Sequence, residues 1–240
     1  METPTPVGFR QSRSQFADVA WRVSGVALVA FGGWLALTTA AEVRRLARVL
    51  PPTPPEVAAD VVVRNVEDRS GRAASFRILL FTDEFRWRLN SFRELEHATD
   101  RPHFTEEMKA VLNDAKEIIC VGASSEEMPA GRSGRAGRTA EEWRAARRAD
   151  QIAVWVREAL GRPTPVRKLN AGYHAPTGHP GDTGDQRRMV IILVLDHDED
   201  ADIDEALRAA MMRESPRAPI FDTLLTRYSL SKGPDFAWVP

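Results

Sequence analysis

A chain of 240 residues can hold one sizeable domain with attachments or two small ones, and 43% hydrophobic with 28% charged residues is the make-up of a folded protein, which excludes wholesale disorder. The formal net charge of -1 lacks the basic excess of a general nucleic-acid binder, so no nucleic-acid partner is expected. The single Cys120 excludes an intramolecular disulfide, and no Cys/His spacing marks a zinc site.

Residues 1–19 are polar, with Pro4, Pro6 and Gly8, and read as a free segment. Val23 to Ala41 then runs for nineteen residues without a charge. At about 1.5 Å per residue this length just crosses a hydrocarbon core of about 30 Å, so residues 20–48 are expected to form a transmembrane helix and its extension in a lipid bilayer. Arginines flank the stretch on both sides (Arg10, Arg13 and Arg22 before, Arg44, Arg45 and Arg48 after), so charge alone gives no orientation. Asp18 stands at the edge of the stretch with Arg22 four residues on, where a helical ion pair explains it and an ion-carrying role is the alternative. Residues 49–60 hold Pro51, Pro52, Pro54 and Pro55, a semi-rigid polyproline spacer.

Beyond the spacer, Val61 to Val63 is β-like, Asp68 to Gly71 carries turn residues, and Phe76 to Phe85 is the next strand candidate. Phe104 to Lys116 reads as a helix with Met108, Val111, Leu112 and Ala115 on one face, and Thr105 reads as a poor cap because Phe104 precedes it within the pattern. Glu117 to Gly122 is a strand, with Cys120 as a buried thiol in its apolar run. Met128 to Ala140, with Arg132, Arg135 and Arg138 among glycines, reads as a cationic loop, either a solvated insertion or a lid for an anionic polymer. From Trp143 the apolar positions Ala146, Ala149, Ile152, Ala153, Val156, Ala159 and Leu160 recur at steps of three and four. They define one face of a long helix whose other face carries Arg144, Arg147, Asp150, Gln151 and Arg157. Gly161 and Pro163 stop it. Leu169 to Gly172 is a short strand, and Met189 to Leu195 is an unbroken apolar one. His174 and His179 read as loop histidines. Asp196 to Glu205 reads as an acidic loop entering a helix over Asp204 to Met212, and the apolar tail from Ser215 packs on the domain or on a partner.

Three of these stretches resemble one family. Arg147-Arg148-Ala149 in the helix, Lys168 to Tyr173 after it, and Gln186 to Ile192 last are similar to the S-x-x-R-A-x-x-V, L-x-x-x-G-Y-G-E and N-R-R-V-E-I stretches of OmpA-like domains, shared with MotB stator proteins. The resemblance covers about Ile78 to Leu195. It implies an α/β fold (an α+β sandwich): a small mixed β-sheet with helices on one face, preceded by a single transmembrane helix. The domain would span residues 61–195, with 196–240 a C-terminal extension.

It also implies peptidoglycan as the partner and a place at the inner membrane, single-pass, with the main domain in the periplasm. In the family an aspartate ending a G-x-T-D stretch pairs with the ammonium of diaminopimelate, and the helix arginine pairs with its carboxylate, as charge and the planar guanidinium fork suit. Here Arg148 fills the arginine position with Arg147 beside it. Ser125 stands where the aspartate would be, and Glu126 is the nearest acid. Arg187 and Arg188 would pair with helix carboxylates near the sheet edge. No nucleophile elbow or phosphate loop appears, so no catalytic residue, cofactor or metal is expected. Two alternatives stand beside the envelope module. One is a MotB-like stator subunit using Asp18 beside a multi-span membrane partner; the other is a degenerate domain that binds only protein, as a homo-oligomer or otherwise.

Overall fold

A computed structural model describes residues 54, 56–97, 101–127, 134–177, 183–214, 224, 227–229 and 235–238. The expected transmembrane helix at 20–48 and Asp18 lie outside these, and among the described residues no helix is long and apolar enough to cross a membrane.

Among the described residues six strands form one mixed sheet. They are β1 (Val57–Glu67), β2 (Ala73–Phe81), β3 (Glu117–Ser124), β4 (Val166–Tyr173), β5 (Val190–His197) and β6 (Asp235–Trp238), in the order β1-β2-β5-β3-β4-β6. Only β3 and β4 pair in parallel; every other neighbouring pair is antiparallel. Among the described residues three α-helices accompany them: α1 (Glu106–Asn113), α2 (Gly134–Ala159) and α3 (Ile203–Glu214).

The unbroken apolar run of β5 follows from its central place. Ile191 and Leu193 face a core built with α1 and α2, while Val190, Ile192 and Val194 face a second core built with α3. A strand covered on both sides has no solvent face to write as polar. β3 alternates in the same way, with Ile118 and Cys120 toward α1 and α2 and Ile119 and Val121 toward α3. Burial pushes the Cys120 thiol up, so it stays protonated.

The sheet therefore carries helices on both faces, which corrects the expectation of one covered face. The cause is α3, whose Ile203, Ala206, Leu207 and Ala210 bury against the side that α1 and α2 leave open. β1 begins at Val57, within the stretch read as spacer, and β6 extends the sheet beyond β4.

Several local readings change for equally local reasons. Thr105 does cap α1: its side chain accepts from the Met108 amide at 3.3 Å, and Phe104 before it is buried in the core without joining the helix. Arg135 and Arg138 lie on the first turns of α2 and not on a loop; Arg132 is outside the described residues. The acidic run after β5 is occupied in turn and cap duties. Asp202 accepts from the Glu205 amide at 3.0 Å at the start of α3, and Asp198 accepts from the Ala73 amide at 2.7 Å.

Candidate functional site

The first half of α2 is inside out. Glu141 and Arg148 are fully buried and Arg144 nearly so, whereas Trp143 is 53% exposed. The apolar face read from Trp143 and Ala146 thus holds only from Ala149 onward.

The cause lies in β3, which ends Gly122-Ala123-Ser124, followed by Ser125, all buried. A Cβ on Gly122 would stand 2.0 Å from the Ala145 carbonyl oxygen and 2.5 Å from the Ala149 nitrogen, so glycine is what lets the α2 backbone lie on the strand. Contact this close leaves no layer for large apolar side chains, and longer polar ones fill the rim. Glu141 accepts hydrogen bonds from the Ser124 hydroxyl and from the Arg144 guanidinium. Arg148 donates to the Ala123 carbonyl at 2.7 Å and to the Ser91 carbonyl at 3.0 Å, with its guanidinium 5.4 Å from the Trp87 ring centroid. Trp87 stacks in turn on Trp155 of α2.

Arg148 therefore fastens three segments together: the helix, the end of β3, and the 88–92 loop. Burial, then the neighbouring Arg144 and Arg187, push its pKa down to about 9, with Glu141 opposing them. That is still above neutrality, so the buried group is a cation at pH 7.

Beside this cluster the segment leaving β3 meets those that follow β4. Glu126 is half-buried. Its carboxylate accepts from the Thr177 hydroxyl at 2.8 Å and the Gln186 side-chain amide at 3.1 Å, and its own amide donates to Gln186 Oε1 at 2.9 Å. Burial pushes the Glu126 carboxyl up, but the bonds from Thr177 and Gln186 outweigh it and hold the group below the usual carboxylate range. Tyr228 donates to the Gln186 carbonyl at 3.1 Å, and His174 packs edge-on against the Tyr228 ring. His174 is thus a buried residue joined to Tyr228 and not a solvated loop histidine; His179 is outside the described residues.

The residues expected to bind ligand separate accordingly. Arg148 is turned inward and walled off, Ser125 is buried at 2% exposed, Glu126 is partly open, and Arg147 is exposed above the Trp143 ring. Arg187 and Arg188 pair with Glu96, Asp83 and Asp185, which lie on loops and short 3-10 turns and not on the long helices. Among the described residues no group of three His, Cys, Asp or Glu side chains is placed to hold a metal.

The sequence reading missed the outward surface of α2. Phe92 meets Trp143 edge-on with ring centroids 5.2 Å apart, the Arg93 guanidinium lies 5.2 Å from the Phe92 centroid, and that of Arg147 lies 5.5 Å from the Trp143 centroid. A signal was available in the polar residues: Glu141, Arg144 and Arg148 are spaced three and four apart, which puts them on one face as firmly as the apolar stripe does.

No family model matches the chain, and no curated protein matches it. Among solved structures, the periplasmic domain of MotB is similar at 10% identity over 91% of this chain and 100% of that one, with a TM-score of 0.30.

Proposed function

We propose that residues 57–238 form a non-catalytic binding module of the cell envelope that associates with peptidoglycan, carried by a single-pass inner-membrane anchor at 20–48. The observation that supports this reading is the meeting of the helix arginine with the end of β3. Arg148 reaches Ala123, within the Gly122 to Ser125 stretch that the OmpA-like resemblance pairs with it. In this reading Arg148 holds the site in shape and does not touch the polymer, because a guanidinium without exposed surface has no face to offer. Glu126 is the cation contact: it is ionised, partly open, and aimed by Thr177 and Gln186, so a substrate ammonium finds a fixed carboxylate.

Co-sedimentation of the full chain with purified murein sacculi tests the proposal. Recovery in the pellet, reduced by Glu126→Gln, is the expected result. A parent chain that stays in the supernatant at low salt would overturn it.

A further inference from the structure

The exposed line of α2 is built unlike the solvent face of an ordinary helix. Arg135, Thr139, Trp143 and Arg147 follow one another at steps of four, all exposed, and cover about 18 Å of helix at 1.5 Å per residue. Phe92 and Arg93 stand beside them, and Arg138 adds a further exposed cation. Among the described residues no carboxylate pairs with Arg93, Arg135 or Arg138. Asp150, which reaches Arg147 only at 3.5 Å, is held by Lys168 at 2.6 Å. The surface is therefore cationic and aromatic in a chain whose formal net charge is -1. A half-exposed tryptophan with arginines on its flanks is the composition of an interface centre and not of a solvated rim.

We infer that this Trp143–Arg147 face binds a murein strand through its sugar rings and the carboxylates of its stem peptides, so that the anion contacts of the module lie on the outside of α2 and not at Arg148. The inference rests on the peptidoglycan reading above and deepens it by placing a second set of contacts. Charge complementarity selects an anionic partner. The ring geometry selects among anions: Phe92 and Trp143 are 80° apart, so they offer no parallel platform on which successive bases could stack. A lipid surface would need a broad apolar face to insert, whereas here arginines interrupt the aromatic pair within one helical turn. A sugar ring presents an apolar face to an indole, and the free carboxylates of the peptides that hang from a murein strand suit a neighbouring guanidinium, which is the alternation this line of residues offers.

The test uses the full chain with murein sacculi, with vesicles of phosphatidylglycerol and phosphatidylethanolamine and a single-stranded DNA oligonucleotide as parallel probes. Trp143→Ala, and separately the triple change Arg93→Ser, Arg135→Ser and Arg147→Ser, should each weaken sacculus binding about tenfold or more. Trp143→Phe should restore most of it, and the triple variant should lose much of the salt sensitivity of the parent. All these side chains are at the surface, and an unchanged unfolding midpoint confirms that each variant is folded. Sacculus binding by the parent that both variants retain in full would overturn the inference and leave the peptidoglycan reading standing. Binding to vesicles or DNA but not to sacculi would overturn both.

Discussion

Replacing Glu141 by Gln gives the sharpest test of the buried cluster. The wild-type carboxylate has no exposed surface and is the acceptor for both Ser124 and Arg144, with Arg148 as a second buried cation close by. The amide keeps the shape and some hydrogen bonding but removes the only carboxylate that Arg144 is paired with among the described residues, leaving Arg144 buried without a counter-charge and repelled by Arg148. Breaking a buried pair from one side costs about 3–5 kcal/mol, because the remaining charge stays desolvated. For a body of this size each kcal/mol moves the midpoint by about 2–4 °C, so a fall of about 6–20 °C is expected. Urea unfolding followed by tryptophan fluorescence measures it directly as a shift in midpoint at unchanged slope. The double change Glu141→Leu with Arg144→Leu removes both members of the pair, and should recover more than half of the loss. A single variant within about 0.5 kcal/mol of the parent would refute the reasoning, as would a double variant whose losses simply add.

Gly122→Ala places a Cβ where the Ala145 carbonyl stands, and should cost about 1–3 kcal/mol in urea unfolding as α2 is forced off the strand. Thr105→Ala removes the α1 cap and should cost about 1 kcal/mol, while Thr105→Ser should lose little. Glu126 is held below its ordinary pKa of 4.5, so its bonds to Thr177 and Gln186 are in place above that value and are lost as pH falls through the lowered one. Hydrogen exchange of the Thr177 amide should therefore quicken as pH falls through that lowered pKa in the parent, and should be pH-independent in this respect in Glu126→Gln, apart from the intrinsic chemistry.

The middle of the sheet was legible because β3 and β5 are covered on both sides and so carry runs of apolar residues that no solvent face interrupts. The outer strand β4 was harder to bound: Arg167 and Lys168 fall outside the expected Leu169 to Gly172 strand, although they pair with β6 beside them. The site was legible in its cast and not in its orientation. Hydropathy periodicity assigns Trp143 inward and Arg144 outward because it scores each residue alone. The burial of Glu141, Arg144 and Arg148 depends instead on Gly122 and the Ala123 carbonyl in an earlier strand, and on the Ser91 carbonyl in a loop still further back. A group that is satisfied by distant partners cannot announce this in its own window.

The sheet closes late. β4 is bordered on its outer side by β6, which follows it only after the residues of β5 and α3, so the hydrogen-bonding groups of 167–170 wait for 235–238 to arrive. Until those residues are made that border stays open, a template for any passing strand. A truncation before Asp235 works on this border, and self-association on expression is its expected symptom.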